Sequence, residues 1–140
     1  MKNNTKILFV CKANRFRSKS AEALFNKYNE DKNNEVKSAG VQLDVLNPFV
    51  AQNVINELKL RGANVISEKP QEINESLIKW ADKIIITADN VSPDIFPKEK
   101  KEVWLIKDAS ENDRAGIKRG IDDIENRIKE FLKRLRKTNL

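Results

Sequence analysis

The most informative segment of the sequence is KILFVCKANRFRS, Lys6 to Ser18. Lys6–Val10 is short, continuous and largely apolar, which predicts a buried parallel strand. Cys11 follows directly and is the only cysteine among the 140 residues. Arg17 and Ser18 come next, before a segment whose apolar residues have helical spacing. The order strand, thiol, loop, arginine and helix predicts a phosphate-binding loop that carries a nucleophile.

Strands and helices alternate along the rest of the chain. The predicted strands are Lys6–Val10, Glu35–Ala39, Lys83–Thr87 and Glu102–Ile106. The predicted helices are Ser18–Asn29, Pro48–Arg61, Ile73–Ala81 and Ile117–Lys137, with a turn or short helix at Ser92–Pro97. Asn47 is interpreted as the cap of the second helix and Pro48 as its first residue. We therefore predict one α/β domain over residues 1–140, with a four-stranded parallel sheet, helices on both faces and the flavodoxin-like strand order 2-1-3-4.

Composition excludes several classes of function. The chain has a net charge of +6 and no histidine, which excludes Cys–His and Ser–His–Asp catalysis. One cysteine without histidine argues against a structural zinc site. The free thiol, the polar N-terminus and the absence of a long apolar run predict a cytoplasmic protein with no membrane partner. The sequence does not interleave basic and aromatic residues in the way that is typical of nucleic-acid-binding proteins, so we predict no nucleic-acid partner.

The loop between the first strand and the first helix has a specific predicted chemistry. Backbone N–H groups that converge at such a turn bind a tetrahedral oxyanion, and Arg17 can add two parallel hydrogen bonds to phosphate oxygens. The same positive field favours the thiolate of Cys11, to which Ser18 can donate a hydrogen bond. Cys11 would then attack phosphorus in line. The alternative is that Cys11 is a small buried residue and that Ser18 only caps a helix.

A family resemblance rests on these residues. The segment FVCKANRFRSKSAEALF resembles the low-molecular-weight protein tyrosine phosphatases, whose signature is V-C-x-G-N-x-C-R-S-P followed by A-E. The matching residues are Val10, Cys11, Asn14, Arg17, Ser18, Ala21 and Glu22. Ser38–Gly40 and Ala81–Ile85 also resemble family segments, so the resemblance covers nearly the whole chain. The related thioredoxin-coupled arsenate reductases share the same fold and loop.

The resemblance implies an activity and its partners. It implies a cysteine-dependent protein tyrosine phosphatase, a hydrolase of phosphoric monoesters, that needs neither a metal nor a cofactor. The implied partners are a phosphorylated protein or a small aryl phosphate, and inorganic phosphate as the product. We expect the protein to act as a monomer.

The resemblance also implies roles for individual residues. Cys11 would be the nucleophile, and Arg17 would bind the phosphoryl group. The other implied residues of the phosphate loop are Lys12, Ala13, Asn14, Arg15, Phe16 and Ser18. Asn14 is expected to tether the loop by reaching Ser38. The family's general acid is an aspartate in the loop after the fourth strand, where Asp108 is the best match and Asp113 the second candidate.

Four positions depart from the family pattern. Ala13 replaces a glycine, and a positive φ there would cost about 1 kcal/mol. Phe16 replaces a second loop cysteine, Lys19 replaces a proline, and Ala109 stands where a proline usually follows the acid. None of these changes removes the thiol, the arginine or the hydroxyl.

The substrate is less constrained than the chemistry. We expect a basic mouth formed by Lys12, Arg15 and Lys19, with Phe16 and Leu43 as nearby apolar residues, and we expect Trp104 in the core. Three alternatives stay open: an arsenate reductase that uses an external thiol, a phosphatase for phosphoarginine or small esters, and a non-catalytic phosphate-binding module. An intramolecular arsenate reductase is excluded, because it needs two further cysteines.

Overall fold

Four parallel strands form one sheet in the computed structural model, which describes residues 5–138. The ends of the predicted domain, residues 1–4 and 139–140, lie outside this range. The strands are β1 (Lys6–Cys11), β2 (Glu35–Gly40), β3 (Lys83–Ile86) and β4 (Lys101–Val103). Their order is β2-β1-β3-β4, and all neighbours pair in parallel. The predicted fold class and strand order are confirmed.

Helices cover both faces of the sheet. They are α1 (Arg17–Tyr28), α2 (Gln52–Leu60), α3 (Glu75–Trp80) and α4 (Arg114–Thr138), with a 3-10 turn at Pro93–Ile95. Ile7 and Phe9 point to the core shared with α1, α2 and α4, whereas Leu8 and Val10 point to the smaller core beside α3. This alternation is the two-residue period of a strand buried on both faces. Within residues 5–138, no helix is long and apolar enough to cross a membrane.

The predicted start of the second helix is wrong. The helix begins at Gln52 and not at Pro48. Asn47 donates its side-chain amide to Asp44 at 2.9 Å, and its backbone N–H donates to the Asp44 carbonyl at 3.2 Å. The Asn-Pro pair therefore closes a turn instead of capping a helix. As a result, the segment before α2 is a loop beside the phosphate loop, and it carries the exposed Phe49.

The fourth strand ends earlier than predicted. β4 stops at Val103, and Trp104 leaves the strand to pack in the core, where it is 3% exposed, as expected. Its ring lies 5.8 Å from Phe9 and 5.9 Å from Phe131, centroid to centroid. The chain then bends, and the carbonyl of Ile106 accepts hydrogen bonds from residues at the start of α1 and after the end of β3. This bend brings residues 106–111 to the carboxyl end of the parallel strands, where ligands bind in such folds.

Candidate active site

Cys11 lies at the carboxyl end of β1, at the base of a pocket of about 200 Å³. The side chain is 2% exposed, and its Sγ lies 3.0 Å from Ser18 Oγ. Ser18 is in the first turn of α1, and no acidic residue occurs in that turn. The sulfur therefore lies close to the positive end of a twelve-residue helix, where an anionic ligand binds favourably.

Asn14 organises the loop between Cys11 and α1. Its φ of 57° is the only left-handed value of a non-glycine residue in the part of the chain that the structure describes. Its Nδ2 donates to Ser18 Oγ at 2.7 Å and to Ser38 Oγ at 3.1 Å, while its Oδ1 accepts from Gln71 N at 2.9 Å. Because Ser18 accepts from Asn14, it keeps its own hydrogen, which it can donate to Cys11 Sγ at 3.0 Å or to the Ala39 carbonyl at 3.5 Å.

Ala13 is not strained, in contrast to the expected cost of a positive φ at this position. The left-handed residue is the next one, Asn14, a residue type that tolerates this conformation better than most. The residue that needs to be glycine lies instead on β2. A Cβ on Gly40 would meet Ala13 C and Asn14 N at 2.8 Å and Lys12 O at 2.9 Å. The loop therefore packs directly on the backbone of Gly40.

Substituting Gly40 by alanine should displace the loop. We expect Gly40→Ala to lower the free energy of unfolding by about 1–3 kcal/mol, because the added methyl meets backbone and not a flexible side chain. We also expect slower alkylation of Cys11. Urea denaturation and iodoacetamide kinetics would measure the two effects.

Gly62→Ala is the matched control for this substitution. Gly62 has a φ of 75°, and a Cβ there would make only ordinary contacts with the Lys27 side chain at 3.8 and 3.9 Å, so alanine there is strained without touching the loop. Gly62→Ala should therefore destabilise the fold and leave Cys11 alkylation unchanged. Equal alkylation rates in Gly40→Ala and the wild type would contradict the role given to Gly40.

Arg17 is the most buried cation of the site, with 2% of its side chain exposed. Its Nη1 donates to the Ile106 carbonyl at 3.1 Å and lies 3.5 Å from Asp89 Oδ1. Its Nη2 lies 3.5 Å from Asp108 Oδ2. Its Nε has no hydrogen-bond partner within residues 5–138. A buried donor without a partner is rare, and here it leaves the guanidinium able to bind an oxyanion in the pocket.

The structure separates the two candidate acids. Asp108 lines the pocket of Cys11, and its side chain is about half exposed. Asp113 instead caps α4, since its Oδ1 accepts from Gly116 N at 2.9 Å. Asp113 lines a neighbouring cavity of about 260 Å³. Asp108 is therefore the aspartate of this pair that lines the same pocket as the thiol.

Sequence reasoning missed Asp89 and Gln71. Asp89 follows β3 closely, and its backbone N–H shares the Ile106 carbonyl with Arg17. The rule that places Cys11 at the carboxyl end of a parallel strand would have placed Asp89 there too. Gln71 contacts Asn14 through its backbone, so no side-chain pattern could have revealed it.

The predicted basic mouth is wrong. Lys19 is 3% exposed and donates to the Lys69 carbonyl at 3.1 Å, so it does not line the pocket. Arg15 does line it, but its Nε donates to the Phe49 carbonyl at 2.8 Å and its Nη2 lies 3.5 Å from Glu111 Oε2. The charged side chains around the pocket are Arg15, Arg17, Asp44, Asp108 and Glu111. The mouth thus carries both signs of charge, with more carboxylates than cations.

The apolar residues near the mouth also differ from the expectation. Phe16 contributes to the pocket wall but is 6% exposed and packs against α4, where a Cβ on Gly120 would lie 2.7 Å from its Cζ. Leu43 is half-buried and is not part of the pocket wall. Phe49, 55% exposed, is an aromatic side chain whose backbone contacts Arg15. It was missed because Asn47 and Pro48 were interpreted as a helix start.

Together these groups provide a buried thiol, a hydroxyl donor, a buried guanidinium and a half-exposed carboxyl around one small pocket. The pocket suits a tetrahedral oxyanion, with a sulfur at its base that can attack the central atom. The half-exposed carboxyl lies where it can exchange protons with a bound ligand or with water.

Comparisons with known proteins agree with this geometry. The model of the low molecular weight phosphotyrosine protein phosphatase family matches residues 6–140. An arsenate reductase from Bacillus cereus is 30% identical over 136 residues, which are 95% of this chain and 98% of that protein. The structure of an arsenate reductase from Archaeoglobus fulgidus has a TM-score of 0.70 at 29% identity, covering 91% of this chain and 98% of that one. The YwlE arginine phosphatase from Geobacillus stearothermophilus has the same fold, with a TM-score of 0.83 at 23% identity over 96% and 94% of the two chains.

Proposed function

We propose that this chain, which belongs to the low-molecular-weight phosphotyrosine protein phosphatase family, hydrolyses phosphotyrosine and other aryl phosphate monoesters. The observation that carries the proposal is the buried Arg17, whose Nε lacks a partner in the described part of the chain and whose side chain lines the same pocket as Cys11. A guanidinium held in this way binds phosphate oxygens in a planar geometry that lysine cannot reproduce.

Covalent catalysis would begin with the Cys11 thiolate. Its sulfur attacks phosphorus in line with the ester oxygen, so that a S–P bond forms as the P–O bond to the aryl group breaks. Asp108 gives its proton to the departing oxygen, which leaves as a phenol. In the second step Asp108 takes a proton from water, the water oxygen attacks phosphorus and the thiolate is released with inorganic phosphate. The protons balance over the two steps, because the phenol takes the proton of Asp108 and water restores it.

Ser18 and Asn14 would support the sulfur in both steps. Because Asn14 donates to Ser18 at 2.7 Å, Ser18 would donate its own hydrogen to a thiolate at the sulfur position 3.0 Å away. This hydrogen bond stabilises the thiolate as nucleophile and as leaving group. The remaining loop residues contribute backbone N–H groups around the phosphoryl oxygens.

A direct experiment combines turnover with protection of the thiol. The protein should hydrolyse p-nitrophenyl phosphate, and inorganic phosphate should compete with it and slow the alkylation of Cys11. Absence of both turnover and phosphate protection would reject the proposal. Protection without turnover would instead indicate the non-catalytic phosphate-binding module.

The acidic rim favours phosphoarginine as a second candidate substrate. Asp44 and Glu111 line the pocket together with Asp108, and Glu111 pairs with the rim arginine, Arg15. A guanidinium leaving group would meet carboxylates here, whereas an acidic peptide would be repelled.

A substitution on the rim tests this preference. We expect Glu111→Gln to lower kcat/KM for a phosphoarginine peptide by only about two- to fivefold, because exposed charge pairs are weak. For the dianion p-nitrophenyl phosphate, we expect kcat/KM to stay the same or to rise. Glu99→Gln, at an exposed position outside the pocket, is the control. Equal changes for both substrates would remove the case for a cationic leaving group.

Arsenate is the third ligand to test, because the Bacillus cereus relative is named an arsenate reductase. Arsenate has the shape of phosphate and should compete for the pocket. Its reduction needs two electrons, and a chain with one cysteine must obtain them in part from an external thiol. Arsenate-dependent consumption of glutathione or thioredoxin thiols would establish this activity.

The cellular setting follows from the chemistry. We propose that the protein works in the cytoplasm, because a thiolate nucleophile needs a reducing compartment to remain free. We further propose that it acts as a monomer and that its substrates are phosphorylated proteins.

A further inference from the structure

A buried lysine lies behind the phosphate loop. Lys19 extends from α1 and is 3% exposed, although it occupies a position where the family has proline. It lines a second cavity, of about 480 Å³, that is separate from the pocket of Cys11. Lysine is almost never buried to this extent without compensation, so its surroundings need an explanation.

The same cavity contains a buried carboxylate that is connected to Cys11. Glu22, 8% exposed, accepts from Ser38 Oγ at 2.6 Å, and Ser38 accepts from Asn14 Nδ2 at 3.1 Å. Asn14 also donates to Ser18 at 2.7 Å, and Ser18 contacts Cys11 Sγ at 3.0 Å. Each hydroxyl has a single hydrogen. Ser38 donates its hydrogen to Glu22 and accepts from Asn14, and the amide nitrogen of Asn14 can only donate, so each of these bonds has a single direction.

The charges of Lys19 and Glu22 depend on each other. Burial lowers the pKa of Lys19, and the charges of Glu22 and Cys11 act in the opposite direction. Burial raises the pKa of Glu22, against the hydrogen bond from Ser38 and the charge of Lys19. The other charged residues that face the cavity are Lys37 on β2 and Lys69.

Lys19 also holds the segment that supports Asn14. We call residues 66–71 the strap. The Lys19 ammonium donates to the Lys69 carbonyl at 3.1 Å, and two residues later Gln71 N donates to Asn14 Oδ1 at 2.9 Å. Gln71 also donates from Nε2 to the Ser38 carbonyl at 2.9 Å. The ammonium therefore contacts the strap directly and acts on Glu22 through its charge, and both lead to Asn14.

We infer that Lys19 is a positioning residue whose buried positive charge, in the same cavity as Glu22 behind the loop, holds the strap and Asn14 in the arrangement that stabilises the Cys11 thiolate. This role rests on the proposed role of Cys11 as nucleophile. The competing explanation is that Lys19 only fills space between α1 and the strap.

Charge and packing predict different results for two substitutions. Lys19→Met keeps the length of the side chain and removes the charge. We expect the pH midpoint of Cys11 alkylation by iodoacetamide to rise by about 0.5 to 1 pH unit, which lowers the alkylation rate three- to tenfold below the midpoint. This shift is smaller than the shift caused by a charge in direct contact with the thiol. Glu22→Gln leaves the ammonium unopposed and should move the midpoint down. A pure packing role would move both midpoints in the same direction, and that result would overturn the inference.

Two further proteins complete the experiment. Lys69→Met removes an exposed lysine of the same cavity but keeps the carbonyl that Lys19 uses, so its midpoint should match that of the wild type. The double variant Lys19→Met/Glu22→Gln should return towards the wild-type midpoint. If Lys19→Met fails to fold, Lys19→Arg should keep the wild-type midpoint, and a rise of about 0.5 pH unit or more in that variant would reject the role of charge. Phosphate protection of wild-type Cys11 tests the proposed function separately.

Discussion

Cys11→Ser is expected to abolish hydrolysis of p-nitrophenyl phosphate, with a loss of at least about four orders of magnitude in kcat. The hydroxyl that replaces the thiol stays protonated at neutral pH. The chain has no histidine to act as a base for it, and the site supplies donors, not acceptors, around the sulfur. Phosphate binding should persist, because Arg17 and the loop backbone are unchanged.

Binding and turnover must therefore be measured on the same preparation. Phosphate affinity by isothermal titration should agree within a few fold between Cys11→Ser and the wild type, while turnover disappears. Cys11→Ala is the matched control, since it removes the thiol without adding a hydroxyl. Measurable turnover in Cys11→Ala above that of buffer would show that a group other than the thiol attacks phosphorus.

The alternation of strands and helices, together with the family resemblance, was sufficient to predict the fold class and the strand order. The apolar strand before Cys11 and the helix after Arg17 are consecutive in the chain. A strand followed by a helix fixes where the intervening loop lies in a parallel sheet. The strong strand Lys83–Ile86 then takes its place beside β1 in the predicted order.

The mouth of the pocket was predicted wrongly because its charges come from distant segments. Counting lysines and arginines near Cys11 indicated a basic rim, yet Lys19 lies on a buried part of α1 and Arg15 is paired with Glu111, 96 residues away. Similarly, the contact between Gln71 N and Asn14 is made by a backbone group. Such long-range and backbone contacts leave no periodicity in the sequence.

The start of α2 shows how one local signal has two outcomes. Asn-Pro is typical of both a helix cap with proline at the first position and a turn. Asp44 decides in favour of the turn, because it offers acceptors to the side chain and the backbone of Asn47. The turn affects the candidate site, because it places the backbone of Phe49 against Arg15, which lines the pocket.

Asp108→Asn is expected to slow hydrolysis of phenyl phosphate by about two to four orders of magnitude. Asparagine keeps the size of the side chain but has no proton to give to the phenoxide. For p-nitrophenyl phosphate the loss in kcat/KM should be smaller, because that leaving group needs little protonation and kcat/KM does not include the later attack of water. The slope of log kcat/KM against the basicity of the leaving group should therefore become steeper in the variant.

Two aspartates of the same region serve as controls for Asp108→Asn. Asp113→Asn should leave turnover and stability nearly unchanged, because asparagine caps a helix about as well as aspartate. Asp89→Asn weakens a contact of Arg17 at 3.5 Å, so it should raise KM more than it lowers kcat and leave the leaving-group slope unchanged. Full turnover of phenyl phosphate by Asp108→Asn would refute the assignment of the acid. A steeper slope in Asp113→Asn would transfer the role to that residue and require the loop 108–113 to move during the reaction, since the structure places Asp113 outside the pocket of Cys11.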